Sequence, residues 1–96
     1  MPALDLSSRG LIAVPEDIVD VADLSELRLS HNRLCALPKV LGGLQSLQVL
    51  ALSGNMLEAL PDAICELRHL RILGLASNRL HTLPEAIGNL RMLQAL

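Results

Sequence analysis

Residues able to do chemistry are few and widely spaced in this 96-residue sequence. Cys65 and His69 stand four positions apart, a separation at which two side chains can face the same way and bind one metal ion. Two ligands do not close a zinc site, and no second pair follows at a matching spacing. Glu66 and Arg68, which lie between them, are typical of a solvated surface. The sequence therefore predicts neither a metal site nor a cofactor.

Catalysis is not indicated either. The sequence has no GxSxG motif, no Walker-type glycine loop and no Cys–His pair within a distinctive motif. Gly42 and Gly43 lack the following lysine and hydroxyl residue that a phosphate cradle requires. His31 lies near Arg28 and Arg33 and is a candidate pH-sensitive contact, although an inert surface histidine is the more common case. We therefore expect that this chain is not an enzyme.

The composition indicates a narrow aliphatic interior. Hydrophobic residues make up 51% of the chain and 24 residues are leucine, yet Phe, Tyr and Trp are absent. Because aromatic side chains normally fill a globular core, this interior must consist of many small, equivalent slots. No apolar run is long enough to cross a membrane, and the first residues do not resemble a secretory signal. The net charge of −2 indicates neither nucleic-acid nor membrane binding.

An internal repeat of 23 residues organises the sequence. Similar segments begin at Leu4, Leu27, Leu50 and Leu73. The predicted units are 1–23, 24–46, 47–69 and 70–92, and 93–96 opens a fifth. Seven positions of the unit are apolar in every copy. These units form one domain, 1–96, in which each turn packs on its neighbours.

Spacing within the unit predicts its local structure. Leu27 and Leu29 alternate with polar residues, which indicates a short strand. Leu37, Leu41 and Leu44 recur at three to four residues, which indicates a helical or 3₁₀ turn. A proline stands before the turn in every unit and suits its start.

Three asparagines occupy the bend that follows the strand, at Asn32, Asn55 and Asn78. An amide both donates and accepts, so it can satisfy the backbone groups of a tight buried bend. We expect the three amides to form a ladder through the stacked units. Arg9 holds this place in the first unit and cannot be buried unpaired, which predicts a frayed or cap-like first turn.

The pattern LxxLxLxxNxLxxLPxxIxxLxxL resembles the 23-residue class of intracellular leucine-rich repeats, which includes Ras-binding scaffold proteins and the Erbin–densin–Scribble group. The resemblance implies an α/β repeat solenoid, a curved right-handed coil with a parallel sheet on the concave side and short helical or 3₁₀ turns on the convex side. It implies a protein–protein interaction module, a cytoplasmic scaffold or adaptor in signal transduction. By the same resemblance, the partner would be a small GTPase or another signalling protein.

Binding is expected on the concave face of the sheet, where side chains point away from the buried leucines. A charged patch lies there beside a shallow apolar area, a composition that suits anchors with a polar rim. The candidate residues are Glu26, Arg28, His31, Arg33, Val49, Ala51, Met56, Ile72 and Arg79. The alternative is that small residues merely line an unused sheet.

Two further readings of the whole chain stay open. It is either a fragment of a larger signalling protein, such as a kinase, a GTPase regulator or a ligase adaptor, or an extracellular recognition domain. The two isolated thiols, Cys35 and Cys65, favour a reducing compartment, and their places in the unit argue against a disulfide. Leu93 and Leu96 open an uncovered strand edge, which predicts self-association through the C-terminal end.

Overall fold

The computed structural model describes residues 2–90, apart from the side chain of Asn89. Over this range four strands alternate with four 3₁₀ helices. The strands are β1 (Ala3–Asp5), β2 (Glu26–Arg28), β3 (Val49–Ala51) and β4 (Ile72–Gly74). The helices are η1 (Glu16–Asp20), η2 (Lys39–Gly43), η3 (Asp62–Glu66) and η4 (Glu85–Asn89). Each element begins 23 residues after its counterpart in the preceding turn.

The strands form one parallel sheet in the order β1-β2-β3-β4. Its register follows the repeat, so Leu4 pairs with Leu27, Leu27 with Leu50, and Leu50 with Leu73. Backbone hydrogen bonds between neighbouring units continue beyond the strands. For example, the amide of Leu29 donates to the carbonyl of Ala51 at 2.8 Å. Parallel strands, each joined to the next through a 3₁₀ helix, give the leucine-rich repeat solenoid that the sequence predicted.

The core lies between the sheet and the 3₁₀ helices and is entirely aliphatic. The central strand leucines, Leu27, Leu50 and Leu73, are fully buried, as are Leu41 and Ile64 of the helical turns. No described buried side-chain nitrogen or oxygen lacks a hydrogen-bond partner. The core therefore consists of small aliphatic compartments, as predicted, and each compartment is closed by the units on either side of it.

Proline sets the start of each 3₁₀ helix. Pro15, Pro38, Pro61 and Pro84 are the N-caps, with φ between −74° and −57°. A proline ring holds φ near this value, so the chain enters the turn without further ordering cost. At the other end, the N–H of the C-cap residue donates to the carbonyl three residues earlier, as Leu44 does to Leu41 at 3.1 Å.

The predicted asparagine ladder is confirmed. Nδ2 of Asn55 donates to the carbonyls of Leu52 in its own unit and Leu29 in the preceding one, and its Oδ1 accepts from the amide of Leu34. Asn32 and Asn78 repeat these contacts one unit earlier and one unit later. Each amide therefore ties its own bend to the unit before it.

Of the two expectations for the first turn, frayed or cap-like, fraying is wrong. The backbone amides of Arg9 and Leu11 both donate to Oδ1 of Asn32 at 3.0 Å, so the next unit satisfies the first bend. Ser8 has a φ of 57°, close to the 58° of His31 at the equivalent place, so the two bends share the same left-handed residue. Arg9 itself stays exposed. An asparagine serves the unit before it as well as its own, and for this reason unit one can do without one.

Candidate protein-binding surface

Strand residues on either side of each buried leucine form one continuous surface. The sheet register aligns Glu26 with Val49 and Ile72, and Arg28 with Ala51 and Gly74. We call these six residues, with Ala3 and Asp5 of β1, the strand strip. Successive strands are about 4.8 Å apart, so the strip forms two parallel rows of side chains.

The first half of the strand strip is charged and largely self-compensated. Nε of Arg28 donates to Oε2 of Glu26 at 2.6 Å, and this is the salt bridge found within residues 2–90. Asp5 pairs in register with Arg28. Its pKa is lowered, first by the backbone N–H of Ser7, which donates to its carboxylate at 3.0 Å, and further by the Ser7 hydroxyl and the nearby arginines. Arg28 thus has two acidic neighbours on the sheet.

The second half of the strand strip is apolar and open. Ile72 is 43% exposed, and Val49 beside it is half-buried. Ala51 and Gly74 form the row below them, so the surface there is nearly flat. Small side chains next to exposed isoleucine and valine leave room for an apolar group from outside.

The remaining candidates lie on the bend after the strands. Arg33, Met56 and Arg79 occupy the same place in three successive units. The backbone amide of each residue donates, at 2.8 to 2.9 Å, to a carbonyl of the preceding unit that lies one place further along the repeat. Arg33 and Arg79 are exposed and Met56 is half-buried. We call these three residues, with His31, the bend strip.

The His31 ring lies over Gly54. A methyl group at Gly54 would lie 2.5 Å from Nδ1 of His31, so any larger residue there would force this exposed ring to move. Gly54 also has a φ of 74°, which glycine adopts at little cost. The glycine therefore positions the imidazole at the edge of the bend strip.

The structure divides the nine predicted residues between two strips. Five lie in the strand strip and four in the bend strip, and the serines Ser30 and Ser53 follow the strands between the two. Sequence reasoning left Asp5 out of the site, although its place in unit one is the same as that of Arg28 in unit two. That equivalence was the available signal.

Comparison with known proteins decides the family. A sequence model described as leucine-rich repeat region matches residues 4–96. The chain belongs to the leucine-rich repeat family. No sequence among curated proteins matches it significantly. Repeats of this family are typically modules of protein–protein interaction, and open repeat surfaces suit that role.

Solved leucine-rich repeat structures share the fold. A leucine-rich repeat protein of Leptospira interrogans is 39% identical with a TM-score of 0.92, over 96% of this chain and 24% of its own. The BIR3–SERK2 complex of Arabidopsis thaliana is 33% identical with a TM-score of 0.82, over 97% and 52%. The plant peptide hormone receptor RGFR1 in complex with RGF2 is 34% identical with a TM-score of 0.78, over 95% and 15%. This chain thus spans between about one seventh and about half of each matched chain.

The cysteines of this leucine-rich repeat chain are unpaired thiols. Cys35 is exposed, whereas Cys65 lies half-buried in η3. Burial raises the pKa of the Cys65 thiol, and the carboxylates of Asp62 and Glu66 raise it further. The group therefore stays protonated near neutral pH and is a poor nucleophile and metal ligand. Within residues 2–90 no three His, Cys, Asp or Glu side chains are grouped to hold a metal ion.

A groove of about 580 Å³ opens beside the last described bend. Its lining is Leu75, Ala76, Leu80, His81, Thr82 and Leu83. Leu93 and Leu96, on which the predicted self-association depends, lie outside the described residues. No helix within residues 2–90 is long and apolar enough to cross a membrane.

Proposed function

We propose that this chain is a non-catalytic module that binds a protein partner across the strand strip. The observation that carries the proposal is the uncovered apolar half of the strip, where Ile72 is 43% exposed beside Val49. A partner that covers such an area gains about 25 cal/mol for each Å² of apolar surface removed from water. The charged pair of Glu26 and Arg28 forms a polar rim beside it.

Two of the matched structures support this use of the fold. One is the complex of BIR3 with SERK2, and the other is RGFR1 in complex with RGF2. Both are at least 33% identical to this chain over 95% or more of its length. A repeat array that stacks in this register presents its strand residues side by side, which favours recognition by many small contacts.

The test compares two exposed aliphatic residues of equal exposure. Ile72 is 43% exposed in the strand strip, and Val40 is 44% exposed in η2 on the opposite side of the unit. We expect Ile72→Ser to reduce the amount of partner retained from a cell extract, as quantified by mass spectrometry. Val40→Ser should retain the wild-type amount. Equal retention by the two variants, or a greater loss with Val40→Ser, would reject the strand strip.

We further propose a scaffold or adaptor role in intracellular signalling, with a small GTPase or other signalling protein as partner and the cytoplasm as location. The 23-residue pattern, with its resemblance to Ras-binding and Erbin–densin–Scribble repeats, supports this narrower proposal. Both cysteines are free, as reducing conditions require. Binding of purified Ras-family GTPases in both nucleotide states, with Ile72→Ser as control, measures the partner directly.

A second candidate is a segment of a longer receptor or multidomain signalling protein. It is favoured by the small share of the matched chains that this chain spans, 15% for RGFR1. A receptor segment that faces outward differs from a cytoplasmic module in whether its thiols can be reached from outside the cell. Cys35 is exposed, so it should react with a membrane-impermeant maleimide on intact cells only if the protein faces outward.

Self-association of this chain is a further part of the proposed function. The groove at the last described bend has a mainly apolar lining, and Leu83 is 37% exposed there. We propose that a second copy of the chain covers it. Sedimentation at increasing concentration should then show a dimer in the wild type that Leu83→Ser weakens. Concentration-independent monomers would contradict it.

A further inference from the structure

The bend strip carries positive charge at two exposed arginines, Arg33 and Arg79. Within residues 2–90, Arg33 and Arg79 have no side-chain hydrogen bond and no ion pair. Arg28 differs, since Glu26 holds its guanidinium and Asp5 lies opposite it in register. Arg9 also contributes to the lowered pKa of Asp5 and so has an acid nearby. Two exposed arginines therefore remain available for groups from outside.

The two arginines are held at a fixed spacing. Arg33, Met56 and Arg79 are equivalent positions of successive units, and their amides are anchored by the same backbone hydrogen bond. With strands about 4.8 Å apart, the backbones of Arg33 and Arg79 are about 10 Å apart. Met56 lies between them and is half-buried, so part of its surface is accessible. Methionine is flexible and adapts to apolar groups of different shapes.

We propose that the bend strip binds an acidic segment of a protein partner, with one carboxylate on Arg33 and a second on Arg79. The inference rests on the proposed protein-binding function and specifies the chemistry of the partner. A guanidinium presents a planar fork of donors that matches a carboxylate. In a polyproline II segment, which unfolded chains populate, residues three apart share a face and are about 9 Å apart. This separation is close to that of the two arginines.

Neighbouring charge favours a protein over a nucleic acid as the acidic partner. Asp5 and Glu26 lie on the adjoining strand strip and the chain carries a net charge of −2, so a long polyanion would be repelled beyond the two arginines. A short acidic segment avoids that repulsion because its charge ends where the basic positions end.

The probe is a fluorescein-labelled peptide, Gly-Ser-Glu-Leu-Ala-Glu-Ser-Gly, measured by fluorescence anisotropy with the whole chain. Exposed charge pairs contribute up to about 1 kcal/mol, which is about fivefold in affinity. Arg33→Gln and Arg79→Gln should therefore each weaken binding up to about fivefold. Raising NaCl from 0.1 to 1 M shortens the Debye length from about 10 to about 3 Å and should weaken binding further.

Matched controls separate this contact from general attraction. The double variant Lys39→Gln with Arg68→Gln removes two positive charges, one more than either single variant, from exposed positions on the helical side and should bind as the wild type does. A peptide with glutamine in place of both glutamates should lose binding to the wild type.

Each contrary outcome has a distinct meaning. Three outcomes would overturn the acidic-segment inference. The glutamine peptide could bind as tightly as the glutamate peptide, or the Lys39 and Arg68 variant could lose as much affinity as the Arg33 and Arg79 variants. A single-stranded oligonucleotide of eight nucleotides could also bind more tightly than the glutamate peptide. If partner retention falls with Ile72→Ser but not with Arg33→Gln and Arg79→Gln, the proposed function stands and this inference fails. Loss with the arginine variants alone would reject the strand strip instead.

Discussion

The central and outer units share one sequence template but not one degree of burial. Leu52, at the sixth place of unit three, is fully buried, whereas Leu6 at the same place of unit one is partly exposed. Leu34 and Leu57 are likewise fully buried, while Leu11 at their place in unit one is partly exposed. The chemistry of the position is identical in each pair. The difference shows that a leucine in this fold is buried by the units on both sides of it.

Polar groups show the same dependence on neighbours. The amides of Arg9 and Leu11 in unit one are satisfied by Asn32 of unit two. Asn55 is buried between two asparagine-bearing units, while Asn78 in unit four is less buried. Stability should therefore be highest in units two and three, and the same substitution should cost more there than at either end.

The largest effect is expected from a core truncation at the centre. Leu52→Ala should reduce the free energy of unfolding by about 2–5 kcal/mol, because it removes buried methyl groups and leaves a cavity. Leu6→Ala removes the same atoms from a partly exposed place and should cost about 1–2 kcal/mol. Urea titration of both variants measures the difference. Equal urea midpoints would show that the cost of truncating a leucine does not depend on the neighbouring units.

The asparagine ladder gives the next largest effect. Asn55→Ala leaves the buried amide of Leu34 without an acceptor, at about 1–3 kcal/mol. The carbonyls of Leu29 and Leu52 keep partners, because Asn32 and Asn78 also donate to them. Glu58→Ala, exposed in the same unit, should change stability by less than about 0.5 kcal/mol. Chemical denaturation that failed to separate the two variants would contradict the ladder as a source of stability.

Much of this architecture follows from sequence because it depends on periodicity. Alternating leucines give β2, the spacing after Pro38 gives η2, and the shared place of Asn32 and Asn55 gives the ladder. The repeat does not say that an asparagine also completes the bend before it, and so Arg9 led to the wrong expectation of fraying. That contact joins residues more than twenty positions apart.

The candidate site is less predictable than the fold for a related reason. The repeat predicts which residues face outward, and so their exposure. It does not fix the types of these residues, and so their side-chain pairing cannot be predicted from it. Arg28 and Arg33 are both basic and exposed, yet Arg28 bonds Glu26 while Arg33 has no such partner within residues 2–90. Side-chain geometry decides that difference, and with it which arginine is available for a partner.

An effect of similar size to that of the asparagine substitution tests the contact between the two central units. A methyl group at Gly42 would lie 2.9 Å from the carbonyl oxygen of Ala63 in η3, whereas one at Gly43 would meet nothing within 4 Å. Gly42→Ala should therefore force η2 and η3 apart and cost about 1–3 kcal/mol. Gly43→Ala should change stability by about 0.5 kcal/mol or less. Thermal unfolding of the two variants compares adjacent glycines; a larger loss with Gly43→Ala would contradict the close approach.

The smallest effect lies at the outer unit and depends on pH. The pKa of Asp5 is lowered in the folded chain, first by the amide of Ser7, so its ionised form stabilises folding above the unfolded pKa of about 3.9. This contribution is lost as pH falls through the lower folded pKa. We expect Asp5→Asn to have a lower thermal midpoint than the wild type at pH 6 and the same midpoint near pH 2. Ser7→Ala keeps the backbone donor and should preserve most of the pH-dependent difference. If Ser7→Ala removed it entirely, the hydroxyl rather than the amide would be the principal partner of this carboxylate.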